Sequence, residues 1–203
     1  MNRAILFPPA TVAHLASEGL HGELADLLTL ERSGMALGLV ALPSAVEDSL
    51  YRFNNLPARL AALYAGLDPF DPDEDLLEEA EEGAMWLVDQ AHLLDEVIDA
   101  VYEALASLPA QLVVRRPGDP KGLEVADRRG ALLALKRLAR IDWSARSVMT
   151  RLEATASVAL DARVVIVHAA GSAHDAALSA RAAEVLGRPV DVAGWEGAVT
   201  RVT

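Results

Sequence analysis

The sequence predicts an α/β protein that is rich in helix, with a small, mainly parallel sheet covered by helices and one long acidic helix. Three observations support this class. Hydrophobic residues make up 52% of the chain but aromatic residues only 4%, and the Ala and Leu that dominate favour helices over a β-sandwich. Short apolar runs alternate with helical segments. One segment also repeats apolar residues at helical spacing over several turns.

The strand candidates are short apolar runs that end at proline, glycine or charged residues. They are separated by helical segments, and this alternation is typical of parallel strands joined by helical crossovers. We expect the last strand, helix and strand to form the best-defined crossover of the sheet. The five candidates are residues 2–7, 36–42, 110–116, 163–168 and 188–193.

The chain is predicted to form one domain over residues 1–203, in four consecutive parts. Residues 1–66 form a strand and helix half, and residues 67–75 are an acidic linker in which prolines alternate with aspartates. Residues 76–108 form the long acidic helix. Residues 110–203 form a helix-rich half that ends in the crossover unit.

The long acidic helix carries apolar residues at alternating steps of three and four. This spacing is typical of a helix that packs along its whole length against other helices, and Pro109 ends it. We interpret the apolar row as an interaction seam for a partner or for a second copy of the chain. The seam contains Leu77, Leu87, Leu94, Ile98 and Val101.

Charge is distributed unevenly along the chain. The net charge is −12, and residues 68–103 hold 14 acidic residues with no Lys or Arg. The surface as a whole should therefore repel nucleic acid. A later stretch is basic, and we expect it to pack beside the acidic helix or to bind an acidic partner. Nucleic acid could bind only through its basic stripe, Arg128, Arg129, Lys136, Arg137 and Arg140.

A small-residue turn joins the fourth strand candidate to the helix after it. Gly171, Ser172, His174 and Asp175 crowd this junction, and backbone amides at a helix start can bind an anion. The same residues are explained by turn and capping chemistry, with Ser172 as the cap and Asp175 interacting with the helix dipole. The junction is thus either a small anion site or a capped turn.

Acidic residues in the long helix resemble the EExxE…ExxD pattern of MazG-type nucleotide pyrophosphohydrolases. The two halves of the match are residues 78–82 and 96–99. The resemblance implies Mg²⁺ held by Glu78 or Glu79, Glu82, Glu96 and Asp99. That family places its two motifs on facing helices, whereas one straight helix would separate Glu82 and Glu96 by about 21 Å.

The order of elements, with Glu47 in the second strand–helix unit and Asp175 at a later helix start, resembles PIN-type nucleases. The resemblance implies a Mg²⁺-dependent ribonuclease, degenerate because Phe7, Pro8 and Pro9 occupy the place of the first metal-binding acid. Glu47 and Asp175 would bind the metal if they met at the sheet edge. Two acids alone would hold a hydrated Mg²⁺ weakly.

Other site chemistries have little support in the sequence. The chain has no cysteine, so thiolate metal sites and disulfides are excluded. It shows no signal-peptide pattern and no apolar run of membrane-spanning length, which predicts a cytoplasmic protein without membrane contact. No set of catalytic residues or cofactor-binding motif is evident. We therefore expect a non-enzymatic interaction or regulatory protein that pairs with itself or with a partner protein.

Overall fold

The computed structural model describes Leu15, residues 21–68 and residues 73–203. This part of the chain forms helices and strands in mixed order. The helices are α1 (Glu23–Arg32), α2 (Ser44–Phe53), α3 (Leu56–Leu63), α4 (Glu74–Gln90), α5 (Asp95–Ala104), α6 (Arg128–Asp142), α7 (Ala145–Thr155) and α8 (Ala176–Leu186), with a 3-10 turn at Leu105–Ser107. The strands are β1 (Leu39–Leu42), β2 (Leu112–Arg115), β3 (Leu123–Val125), β4 (Val165–Ala169), β5 (Ala173–His174), β6 (Val192–Trp195) and β7 (Ala198–Val202).

The strands form two antiparallel sheets. The larger sheet has the order β1-β4-β2-β3, so that β4 lies between two strands that are distant from it in sequence. Leu39 pairs with His168 on one side of β4, and Val113 pairs with the same residue on the other. The smaller sheet has the order β5-β6-β7, and a parallel bridge between Leu37 and Val199 joins the two.

The prediction of a mainly parallel sheet is therefore wrong, although the α/β class is confirmed. The described pairs within both sheets are antiparallel. The expected crossover does not form because β4 and β6 belong to different sheets. The alternation of strands and helices along the sequence does not show which strands pair. β1 and β2 both pair with β4 across long helical connections. The first strand candidate, residues 2–7, lies outside the described residues.

The larger sheet separates two apolar cores because successive side chains point to opposite faces. Ala41 and Ile166 pack toward α1, α8 and the smaller sheet. Val40 and Val167 pack toward α5 and α6. A third core joins α2, α3, α4 and α7 around Trp143.

The long acidic helix is two helices, which corrects the predicted single helix over residues 76–108. α4 ends at Gln90 and α5 begins at Asp95. The Asn54 side chain, at the end of α2, pairs with the backbone of His92: its Nδ2 donates to the carbonyl at 2.9 Å, and its Oδ1 accepts from the amide at 3.0 Å. The backbone is extended on both sides of His92, at Ala91 and at Leu94, and the helix is interrupted there.

Residues 123–125 form β3 and pair with β2 in a hairpin. Gly122 in this hairpin has φ +69°, and a Cβ at that position would lie 2.7 Å from Val113 Cγ1. The close backbone approach therefore requires glycine.

The predicted acidic linker, residues 67–75, overlaps the start of α4 at Glu74. Its residues 69–72 lie outside the described part of the chain. The Asp73 carboxylate accepts from the amides of Asp75 and Leu76 at the start of α4.

Candidate functional site

The outer face of α4 combines acidic side chains with two exposed large apolar ones. Trp86 is 58% exposed and Leu76 is 46% exposed. No Lys or Arg occurs between Glu74 and Gln90, so the helix presents one sign of charge. We use "outer face of α4" for the exposed residues Glu74, Asp75, Leu76, Glu78, Glu79, Glu82, Trp86 and Asp89.

The inner side of α4 and α5 contains the predicted interaction seam. Leu77, Leu87 and Val101 are buried among the chain's own helices and strands. Leu94 and Ile98 are half-buried. The seam therefore packs within the described chain, and the exposed side of α4 is the opposite one.

The α3 helix extends the apolar surface beside α4. A Cβ at Gly83 would lie 3.0 Å from Leu63 Cδ2 of α3, so the glycine lets the two helices approach closely. Leu63 itself is 38% exposed. An apolar strip thus extends from Leu63 past Gly83 toward Trp86, with acidic residues along its length.

The basic stripe lies on α6, beside α4. This agrees with the expectation that the basic stretch packs beside the acidic helix. Lys136 Nζ donates to the Asp89 carbonyl at 2.7 Å, and Arg140 pairs with the Asp89 carboxylate at 3.1 Å. Arg128 donates to the carbonyl of Ala106 at 2.9 Å. Two members of the stripe are exposed, namely Arg129 and Arg137.

The junction after β4 is capped by its own aspartate. Asp175, rather than Ser172, is the N-cap of α8, and its Oδ1 accepts from the amides of Ala177 and Leu178 at 2.9 Å. Ser172 donates instead to the Ala169 carbonyl. Two of the helix-start amides that an anion would need are therefore occupied by the Asp175 carboxylate.

The histidines near this junction differ in environment. His168 is buried in β4, with Nδ1 2.9 Å from the Ala169 carbonyl and 3.4 Å from Ser172 Oγ. Burial lowers the pKa of His168, which favours its neutral form. His174 is exposed, and its Nδ1 lies 4.0 Å from Asp191. Gly171, with φ +80°, supplies the turn between them.

The structure does not bring Glu47 and Asp175 together. Glu47 Oε2 accepts from the amide of Arg163, just before β4, at 2.7 Å. Asp175 lies beyond the other end of β4, and five residues of strand rise roughly 15 Å. The two acids that the PIN resemblance would assign to a metal are thus at opposite ends of the strand.

The acids matched by the MazG resemblance are divided between two helices. Glu78, Glu79 and Glu82 project from α4, whereas Glu96 and Asp99 belong to α5, after the break at His92. Within residues 21–68 and 73–203, no group of three or more His, Asp or Glu side chains is placed to hold a metal ion.

A buried group of arginines and acids was not anticipated from the sequence. Arg115 is fully buried at the end of β2 and pairs with both carboxylate oxygens of Glu23 at 2.6 Å. The only signal in the sequence was a pair of arginines directly after an apolar strand. We define the arginine cluster as Arg115, Arg116, Arg151 and Arg163 with Glu23, Glu47 and Asp142.

Arg116 and Asp142 connect the rest of the cluster. Arg116 Nη2 binds both Glu47 and Asp142, and Asp142 also binds Arg163. Burial by itself lowers the pKa of Arg116, but the adjacent carboxylates outweigh it and the pKa is raised. Arg151 donates to the backbone carbonyl of Asp142 at 2.5 Å.

Two aromatic side chains enclose the far side of the cluster. The Arg151 guanidinium lies 4.9 Å from the ring centre of Trp143, and Tyr64 donates its hydroxyl to the Trp143 carbonyl at 3.0 Å. Burial, followed by the negative charge of Glu81, raises the pKa of Tyr64 to about 12. Burial and the nearby Glu47 carboxylate also raise the pKa of Tyr51.

A pocket of about 530 Å³ opens beside the cluster. Arg116, Gly118 and Arg163 line it together with Ser44, the first residue of α2, and the start of α1. We call this the arginine pocket. Its volume lies within the range of small-molecule sites.

Comparisons with known proteins assign no family to the chain. A scan against protein-family models finds no match, and a search of curated proteins finds no relative. Among the described residues, no helix is both long and apolar enough to span a membrane.

Proposed function

We propose that this chain is a non-enzymatic interaction protein that binds a basic, amphipathic segment of a partner protein on the outer face of α4. The observation that carries the proposal is Trp86, 58% exposed on a helix whose charged side chains are all acidic. Tryptophan is enriched among the residues that dominate binding energy at interfaces.

The apolar part of the face offers substantial binding energy. A tryptophan buries up to about 250 Å², so covering the exposed part of Trp86 removes on the order of 120 Å² from water. At about 25 cal/mol per Å², this contributes about 3 kcal/mol. Leu76 and the strip toward Leu63 add to that contribution, which supports an apolar row on the partner's segment.

The charge of the face favours a basic partner over a second copy of the chain. Acidic residues surround Trp86 on the outer face of α4, and opposite charges on a partner would speed association and fix its orientation. The chain as a whole carries −12, and net charge far from zero opposes self-association. We place this role in the cytoplasm, since a chain without cysteine depends on no disulfide.

Tryptophan fluorescence gives a direct test. The probe is an 18-residue helical peptide of Lys and Leu in amphipathic order, titrated into the full chain at low salt. Docking should shift Trp86 emission to the blue. Of the other two tryptophans, Trp143 is already buried and Trp195 is a half-buried residue of β6. We expect Trp86→Ala to weaken binding at least tenfold. Phe53→Ala is the matched control because Phe53 is also 58% exposed but lies at the end of α2.

Three outcomes would overturn the proposal. The first is equal binding of a Glu and Leu peptide of the same pattern, since charge would then play no part. The second is equal loss of binding in the Phe53→Ala and Trp86→Ala variants. The third is a dimer in light scattering that Trp86→Ala dissociates, because the face would then be covered by a second copy of the chain.

A further inference from the structure

The arginine pocket is separate from the outer face of α4 and has a chemistry of its own. It lies where the starts of α1 and α2 meet the segments that follow β2 and precede β4. Arg116 and Arg163 supply positive charge on its wall, where Glu23 also lies with its carboxylate bound to Arg115 and to the Gly118 amide. Leu24, Pro117, Ala162 and Val164 supply apolar surface. Apolar lining with a few converging polar groups is typical of small-molecule sites.

The cluster behind the pocket has more positive than negative charge. Arg115 and Glu23 form a bidentate pair that neutralises itself. Three guanidinium groups remain, those of Arg116, Arg151 and Arg163, against the two carboxylates of Glu47 and Asp142. One positive charge is therefore left without a counterpart inside the cluster.

Arg163 is the most exposed of the cluster members that line the pocket. One of its nitrogens, Nη2, binds Asp142, yet 41% of its side chain remains exposed. A planar guanidinium can bind a carboxylate or phosphate through two parallel hydrogen bonds. Arg116, in contrast, is 11% exposed and is bound by two carboxylates. Its guanidinium therefore contributes positive charge at the pocket wall but not the direct hydrogen bonds to a ligand.

The start of α2 adds positive potential at the same wall. Pro43 is its N-cap and supplies no side-chain capping bond, while Ser44 lines the pocket. The N-terminal end of a helix carries a partial positive charge that favours an anion. The helix dipole and the excess guanidinium charge therefore act on the same space.

We infer that the arginine pocket binds a small organic oxyanion, a carboxylate or phosphate monoester whose apolar body lies against Leu24, Pro117 and Val164. The charged end of the ligand meets Arg163 near the start of α2. A ligand of this kind neutralises the excess charge of the cluster. A free inorganic ion would leave most of the 530 Å³ unfilled.

Thermal unfolding with three matched probes tests the inference. Phenyl phosphate, benzoate and benzyl alcohol share an aromatic body and differ in charge. A ligand that binds only the folded chain raises its melting temperature. We expect a rise of about 2 °C or more with at least one of the two anions at millimolar concentration, and none with the alcohol. The larger of the two rises identifies phosphate or carboxylate as the preferred group.

Variants separate binding from stability. Arg163→Met should abolish the ligand-dependent rise, whereas Arg163→Lys should retain part of it because the charge remains. Arg188→Met is the control, since Arg188 pairs with Asp26 away from the pocket. Perturbation of Gly118 and Ala162 amide signals in NMR titrations provides a second readout if a variant is too unstable to melt cooperatively.

Two results would overturn the inference. One is the absence of any rise with either anion, together with unchanged amide signals around the pocket. The other is an equal loss of the rise in Arg163→Met and Arg188→Met, which would show a nonspecific effect of charge. Trp86→Ala should bind the anions like the original chain, so failure of the partner-binding proposal would leave this one intact.

Discussion

The arginine cluster and the outer face of α4 are both dense in charge, but they differ in what surrounds the charges. The carboxylates of Glu23, Glu47 and Asp142 are at most 10% exposed and each is bound to arginine. Most acids of α4 project into solvent without an opposite charge on their own helix. Buried charge requires a partner in the fold, whereas solvated charge is available to other molecules.

The two regions should differ most in how a substitution changes the stability of the fold, and the largest loss should follow when one partner of a buried ion pair is removed. Arg115→Met leaves the Glu23 carboxylate with two backbone donors, the amides of Gly118 and Val202. We expect the free energy of unfolding to fall by about 3–5 kcal/mol, measured by urea denaturation. Adding Glu23→Gln should recover part of that loss. A fall below about 1 kcal/mol would show that the cluster behaves like surface charge.

Asn54 is a polar contact that determines where a helix ends. Asn54→Ala removes both side-chain bonds to His92, and we expect a loss of about 2 kcal/mol in the free energy of unfolding. Amide hydrogen exchange at residues 91–94 should rise at the same time. Asn55→Ala is the neighbouring control. Unchanged exchange in the Asn54 variant would mean that another contact breaks the helix.

Tyrosine ionisation tests the buried region at alkaline pH. The pKa of Tyr64 is raised to about 12, above an unfolded value of about 10. Its contribution is fully present below pH 10 and is lost as the pH rises toward 12. We expect the original chain to lose about 1–2 kcal/mol more than Tyr64→Phe across this interval, after allowance for partial solvation. Parallel pH profiles for the two proteins would contradict the expectation.

The smallest effect should come from the outer face of α4. Glu79→Gln with Glu82→Gln removes two exposed acids, and the free energy of unfolding should change by less than about 0.5 kcal/mol. Binding of the basic probe peptide should weaken nonetheless, and its dependence on salt should decrease. A loss of stability above about 1 kcal/mol would show that these acids support the fold.

Local patterns in the sequence predicted local structure well. The apolar runs at residues 36–42 and 110–116 contain β1 and β2, and the run at 163–168 covers β4 except for its last residue, Ala169. Their alternation and their flanking breakers act over a few residues.

Features that depend on distant residues were not predictable in the same way. The direction of β4 is set by β1 and β2, and the end of α4 is set by Asn54, 38 residues before His92. The arginine cluster joins residues from seven separate elements or loops. No single arginine shows in the sequence that it will be buried, because its acidic partners come near it only when the chain folds.

The position of β4 also affects how this chain is made. β1 pairs with a strand 129 residues later, Leu39 with His168. β2 pairs with β3 at one edge but needs β4 at the other. During synthesis, the edges of β1 and β2 that pair with β4 therefore stay open until β4 has been translated. Long-range pairing of this kind slows folding and leaves strand edges open to aggregation meanwhile. We expect the nascent chain to need protection until β4 has emerged.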